Sequence, residues 1–171
     1  AGRTVGGPAK VAVLASAVFG SISGSSIANI VSTGTFTIPL MKKVGFRPQV
    51  AGAVENSASL GGQLLPPVMG SGAFVMAEIT GVPYVKIMAM AAFPALLYLF
   101  SIGTIVHLEA KRNGISGMAD EDLQKPMEVF REGWFHLLPL MILLAFLIAG
   151  FSPDWCAALA IVSIVAISWV R

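Results

Sequence analysis

The sequence predicts an all-α polytopic membrane protein assembled from a re-entrant helical hairpin, a broken transmembrane helix and scaffold helices. Three observations carry this. Of 171 residues, 56% are hydrophobic and 12% charged, and the mean hydropathy is +0.80, too apolar for a water-soluble domain. The apolar residues fall in long runs joined by polar connections. Two polar interruptions, Gly20–Asn29 and Glu55–Pro67, lie inside those runs. An unpaired peptide group in hydrocarbon costs several kcal/mol, so backbone that leaves the helix there survives only beside a protein-lined cavity. Each break therefore marks a candidate site.

The first apolar run, Val11 to Ile22, has twelve residues and reaches about 18 Å of a roughly 30 Å hydrocarbon core. After Ser23-Gly24-Ser25-Ser26 comes Ile27 to Met41, about 22 Å at the same rise. Neither crosses alone. The pair is either one kinked span or a hairpin that enters and returns on the same side. With a hairpin, ten of the eleven lysines and arginines share one face and only Lys86 lies opposite. A single crossing splits them eight against three. Positive residues concentrate in the cytoplasm, which favours the re-entrant hairpin opening to that side.

Val50 to Ile79 is thirty residues, about 45 Å as continuous helix and longer than one span requires. The Gly61-Gly62 and Pro66-Pro67 pairs predict two half-helices with an unwound middle. Val85 to Val106, Phe135 to Phe151 and Trp155 to Val170 are further spans, the last two short enough to need thinned bilayer or snorkelling flanks. His107 to Gly133 reads as a cytoplasmic connection. Within it Leu123, Met127, Phe130 and Trp134 form an amphipathic stripe, suited to the membrane interface or to docking on the protein itself. No signal-peptide pattern opens the chain, and it is expected to be a piece of a longer protein.

Several function classes are excluded. The formal charge is +2 and no basic cluster exceeds three residues, so nucleic acid is not a partner. Cys156, His107 and His136 match no metal-ligand or redox spacing and read as packing residues. No nucleophile–base pair is present, which argues against an enzyme. The glycines from Gly61 to Gly72 lack the Lys-Ser/Thr of a phosphate loop and no strand precedes them.

The chemistry-bearing residues lie in the breaks. Ser23 to Asn29 supplies three hydroxyls, an amide and a flexible glycine, hard donors that suit Na⁺ together with freed carbonyls. Their bland alternative is close helix packing, since Gly20 to Gly24 is a GxxxG match. Glu55, an ionisable group inside a span, defaults to a functional role. It stands eight residues past Arg47, about 12 Å along a helix, so pairing toward the interface competes with ion or substrate contact. Asn56, Ser57 and Ser59 are nearer the break and better placed for a ligand. Seats for an anion come in part from helix N-termini at Ser25 and Pro67, or else from the rest of the protein.

Three motifs at these positions are Ser23-Gly24-Ser25-Ser26-Ile27-Ala28-Asn29, Gly34-Thr35-Phe36-Thr37-Ile38-Pro39-Leu40-Met41, and Ala51 to Ser59 continuing into Gly62-Gln63-Leu64-Leu65-Pro66-Pro67-Val68-Met69-Gly70. In them the chain resembles the large membrane subunit of TRAP transporters, the tripartite ATP-independent periplasmic uptake systems. The likeness is strongest to fused permeases that work with TAXI-type binding proteins. It covers roughly residues 9 to 78.

The resemblance implies an elevator-type, Na⁺-coupled importer of small organic anions in the bacterial inner membrane. This chain would be the first half of an inverted-repeat transporter. Ser23, Gly24, Ser25, Ser26, Asn56, Ser57, Ser59, Gln63, Pro66 and Pro67 become the candidate substrate contacts. Ser25, Ser26, Asn29, Gly61 and Gly62 become the candidate Na⁺ ligands. The implied organisation is a transport-domain half over 9–81, a scaffold helix over 82–110, an amphipathic connection over 111–134 and two scaffold helices over 135–171. Implied partners are a periplasmic substrate-binding protein, a small membrane subunit, separate or fused, and the lipid bilayer. No arginine lies near either break, so no direct clamp for a carboxylate is visible. A channel or structural membrane subunit without ion coupling is the alternative.

Overall fold

A computed structural model describes residues 5–115 and 138–170, and the described residues are helical with no strand. Their order is α1 (Gly7–Ser23), α2 (Ser26–Lys43), α3 (Pro48–Gly62), α4 (Ser71–Thr80), α5 (Tyr84–Arg112), α6 (Leu138–Ile148) and α7 (Pro153–Val170). The amphipathic connection expected around Leu123 to Trp134 lies outside the described residues, as does His136.

Local chemistry explains the boundaries. Pro8 and Pro48 sit in the first turns of α1 and α3, where the missing N–H is no loss. α1 stops at Gly24, which adopts φ 64° and donates its N–H to the Gly20 carbonyl at 2.9 Å. That left-handed cap suits a residue with no Cβ. Ser25 then turns extended and its Oγ accepts from the Ala28 N–H at 3.3 Å, a serine N-cap. Lys42 and Lys43 close α2, where the helix dipole favours cations. α4 ends before Gly81 at φ 66°.

α1 and α2 are longer than their apolar runs. α1 gains Gly7 to Lys10 and Ser23, and α2 gains Ser26, Lys42 and Lys43, because capping and small residues extend helix beyond the oily stretch. Their 17 and 18 residues amount to about 26 Å each. α5, with 29 residues, is long and apolar enough to cross a membrane by length and composition.

The chain divides into two compact units. The first comprises residues 1–73 and 88–123. In it α1 and α2 run antiparallel and both pack on α3. The core is built from small side chains: Ala9, Ala12, Ala51, Ala58 and Ala110 are buried with Val13, Met41, Val54, Ile102 and Val106. Such residues let helix backbones approach closely, the basis of packing where lipid removes the hydrophobic drive. Large apolar side chains point outward instead; Phe36 is 78% exposed and Phe100 75%. The second unit comprises residues 74–87 and 124–171. Within it α6 packs on α7, Phe146 meets Phe151 edge-on at 5.3 Å, and Phe74 stacks on Tyr84 at 4.6 Å.

Candidate functional site

The two breaks meet. The Val68 N–H, in the unwound segment after α3, donates to the Ser21 carbonyl at 3.0 Å, and the Ser26 N–H donates to Gln63 Oε1 at 3.3 Å. Gly24 at the hairpin turn lies directly against the Met69 carbonyl, so that a Cβ on Gly24 would overlap that oxygen. The second break is tied to itself as well, with the Gly70 N–H on the Gln63 carbonyl at 2.8 Å.

Both breaks differ in extent from the expectation. The hairpin turn is only Gly24 and Ser25; Ser23 closes α1, while Ser26 to Asn29 form the first turn of α2. The unwound stretch runs from Gln63 to Gly70, and Gly61 and Gly62 are the last residues of α3. The glycines remain helical because they serve close approach. A Cβ on Gly62 would stand 2.6 Å from the Ser16 carbonyl, and one on Gly61 would stand 2.7 Å from the Tyr98 ring. The prolines break the helix where expected, at Pro66 and Pro67, but no helix begins at Pro67: α4 starts at Ser71, so the anion seat expected at a Pro67 N-terminus is not formed there.

A buried polar seam runs from this junction along α1, α2 and α3. Asn29, fully buried, donates Nδ2 to the Ser16 carbonyl at 2.7 Å, and its Oδ1 lies 2.9 Å from Thr33 Oγ1. The same amide nitrogen would lie 2.9 Å from a Cβ on Gly20, and that Cβ would lie 2.7 Å from the Gly62 Cα. Asn29, Gly20 and Gly62 thus converge at one level. Below them Glu55, also fully buried, accepts from Ser16 Oγ at 2.8 Å, from Thr33 Oγ1 at 2.5 Å and from Thr37 Oγ1 at 2.5 Å. Ser59, one helical turn from Glu55 and equally buried, is the one described residue with a buried side-chain oxygen lacking a hydrogen-bond partner.

The remaining sequence candidates are distributed unevenly. Asn56 is exposed and faces away from the seam. Ser57 is half-buried, and its carbonyl accepts from the Tyr98 hydroxyl at 3.2 Å on the side facing α5. Ser23 is exposed, whereas Ser25, Gln63, Pro66 and Pro67 are half-buried around the junction. Sequence reasoning missed Ser16, Thr33 and Thr37. For Thr33 and Thr37 the signal was present as hydroxyls spaced four residues apart on the α2 face that carries Asn29, but single hydroxyls in an apolar helix, Ser16 on α1 among them, stand out less than a cluster. A groove of about 750 Å³ along α1 and α5, walled by Leu14, Phe93, Leu97 and Phe100 with Lys10 and His107 in its lining, contains none of the break residues.

The arrangement offers neutral oxygens and amide groups at the ends of interrupted helices, with one carboxylate beneath them. Hard oxygen donors of this kind suit alkali ions, and exposed helix N–H groups suit anions.

Comparison with known proteins agrees in kind. The family described as "Tripartite ATP-independent periplasmic transporter, DctM component" matches residues 1–171, well past the motif region. The C4-dicarboxylate TRAP transporter large permease protein DctM of Pseudomonas aeruginosa is 31% identical over 94% of this chain and 38% of its own. The uncharacterized protein YgiK of Salmonella typhimurium is 28% identical over 98% and 38%. The sialic acid TRAP transporter permease protein SiaT of Haemophilus influenzae is 24% identical over 93% and 26%. The chain therefore spans well under half the length of these relatives. No solved structure matches it.

Proposed function

The chain belongs to the DctM component family of tripartite ATP-independent periplasmic transporters, and on that premise we propose that it forms one half of a Na⁺-coupled permease importing small organic anions. The observation that carries the proposal is the meeting of the two breaks, held by Val68 to Ser21 at 3.0 Å and Ser26 to Gln63 at 3.3 Å. Interrupted helices that face each other inside a membrane protein are the recurrent architecture of ion and substrate sites in secondary transporters.

In this reading α1 and α2 are the arms of a re-entrant hairpin, and α3 with α4 is the interrupted span. Na⁺ is held by oxygens of Ser25, Ser26, Asn29, Gly61 and Gly62, and the unpartnered Ser59 hydroxyl joins them. The substrate's carboxylate rests on N–H groups at the start of α2, beside Gln63, Pro66 and Pro67. A second hairpin and second broken helix from the rest of the permease complete the site. A periplasmic binding protein delivers the anion, a small membrane subunit braces the scaffold, and hairpin plus broken helix move together as an elevator in the inner membrane. The C4-dicarboxylate and sialic acid relatives favour a carboxylate cargo.

The test is uptake by the complete permease reconstituted with its binding protein, scanned across dicarboxylates, keto acids and sialic acid. Saturable accumulation that needs an inward Na⁺ gradient, and fails with choline, is the expected result. Flux without saturation, or accumulation indifferent to Na⁺, would favour the channel or structural reading.

A further inference from the structure

Glu55 lies fully buried in the middle of α3, where an ionisable side chain ordinarily signals contact with an ion or substrate. Its surroundings point elsewhere. Oε1 accepts from Ser16 on α1 and Thr33 on α2, and Oε2 accepts from Thr37 on α2. The spacings of 2.5 to 2.8 Å are those of hydroxyls donating to a carboxylate. An ion with oxygens at about 2.4 Å keeps neighbouring ligands about 3.4 Å apart. Ser16 and Thr33 hydroxyls stand 3.1 Å from each other, and both crowd the carboxylate more closely still. This set is closed by protons, with no space for an ion among its oxygens.

The same hydroxyl-bearing residues hold Asn29. Its Nδ2 donates to the Ser16 carbonyl, and its Oδ1 lies against Thr33 Oγ1, whose one proton the nearer Glu55 Oε1 takes. Orientation of the Asn29 amide therefore depends on two residues that Glu55 fixes. We propose that Glu55 is a positioning residue: it clamps both arms of the hairpin to α3 and so aims Asn29, without itself ligating the ion. The proposal rests on the Na⁺ reading above only for its readout.

Glutamine separates clamp from charge. In E55Q the amide oxygen accepts from Ser16 and Thr33, while the amide N–H₂ donates to Thr37 Oγ1, whose proton, given to the carboxylate in wild type, turns to the Thr33 carbonyl at 3.0 Å. Every contact persists without the charge. In E55L none does.

The measurement is thermal unfolding of the purified complete permease, titrated with NaCl against choline chloride at fixed ionic strength. Wild type should be stabilised saturably by Na⁺. E55Q should keep the half-saturating concentration within about twofold, and E55L should raise it about tenfold or more. E55Q as weak as E55L would overturn the proposal, because the charge itself would then be required. E55L binding Na⁺ like wild type would overturn it as well. If wild type shows no Na⁺ effect, the coupling reading falls and the clamp is judged in choline alone: a Tm lowered in E55L and not in E55Q supports it, and equal values overturn it. Should E55L not accumulate, T37V removes one of the three bonds; a several-fold rise in half-saturation supports the clamp and an unchanged value sinks it.

Discussion

Gly24 and Met69 stand backbone to backbone, with the hairpin turn seated on the carbonyl of the unwound segment so closely that no side chain fits between them. Gly24 also holds φ 64°, a conformation that costs a residue with a Cβ roughly 1–2 kcal/mol. Gly24→Ala meets both penalties at once. It should cost more than about 2 kcal/mol at the junction and reduce uptake far more than membrane insertion. Quantifying uptake per inserted permease checks this, and wild-type uptake in the variant would show that the junction is not tight in the working protein.

The crossing of α1 on α3 depends on Gly20 and Gly62. A Cβ on Gly62 would stand 2.6 Å from the Ser16 carbonyl and 2.9 Å from the Gly20 Cα, backbone atoms that cannot swing aside. Gly62→Ala should therefore destabilise by about 1–3 kcal/mol, the usual range for overpacking. Gly52 lies in the same helix with nothing within 4 Å of an added Cβ. Gly52→Ala should be neutral or stabilising by up to about 1 kcal/mol, since alanine favours helix over glycine. The unfolding temperature should fall in Gly62→Ala and stay level or rise in Gly52→Ala, and a comparable fall in both would refute the geometric distinction.

Asn29 carries the expectation for ion coupling. Its side chain donates to the Ser16 carbonyl and lies beside Thr33 Oγ1, so Asn29→Ala removes that buried hydrogen bond, worth about 0.5–1.5 kcal/mol, while the carbonyl keeps its helical partner within α1. Uptake by this variant should require several-fold more Na⁺ while surface abundance falls less. Ser25→Ala removes the α2 N-cap, worth about 1 kcal/mol, whereas Ser25→Gly costs only a few tenths. If Ser25 also ligates Na⁺, both substitutions should weaken Na⁺ dependence equally despite their different effects on stability. Na⁺ dependence that instead tracks stability would confine Ser25 to capping.

The helices and both interruptions were legible in the sequence because they are written in local chemistry: serines and a flexible Gly24 between two apolar runs, and Pro66 and Pro67 as breakers. The limits of the breaks were less legible. Gly61 and Gly62 read as loosened backbone, yet they remain helical since their role is to admit Ser16, Gly20 and Tyr98, a long-range demand that composition does not announce. Glu55 was visible as an anomaly, but its meaning was not. The hydroxyls that surround it are 18, 22 and 39 residues away, and only the folding of α1 and α2 onto α3 brings them together.

Gln63 links the unwound segment to the start of α2, through Oε1 and the Ser26 N–H at 3.3 Å. The first N–H groups of a helix attract negative charge, and a carboxylate there is worth about 0.3–1 kcal/mol. Gln63→Glu places such a charge on the protein itself. It should raise the unfolding temperature slightly, and it should also repel and displace the carboxylate of the cargo, which the proposal seats on those same N–H groups. The expected signature is a more stable permease with a several-fold higher half-saturating substrate concentration. Gln63→Ala should lower stability without introducing competition. Steady-state uptake beside thermal unfolding separates the two effects. Unchanged substrate kinetics in Gln63→Glu, with its stability raised, would mean that the anion sits elsewhere.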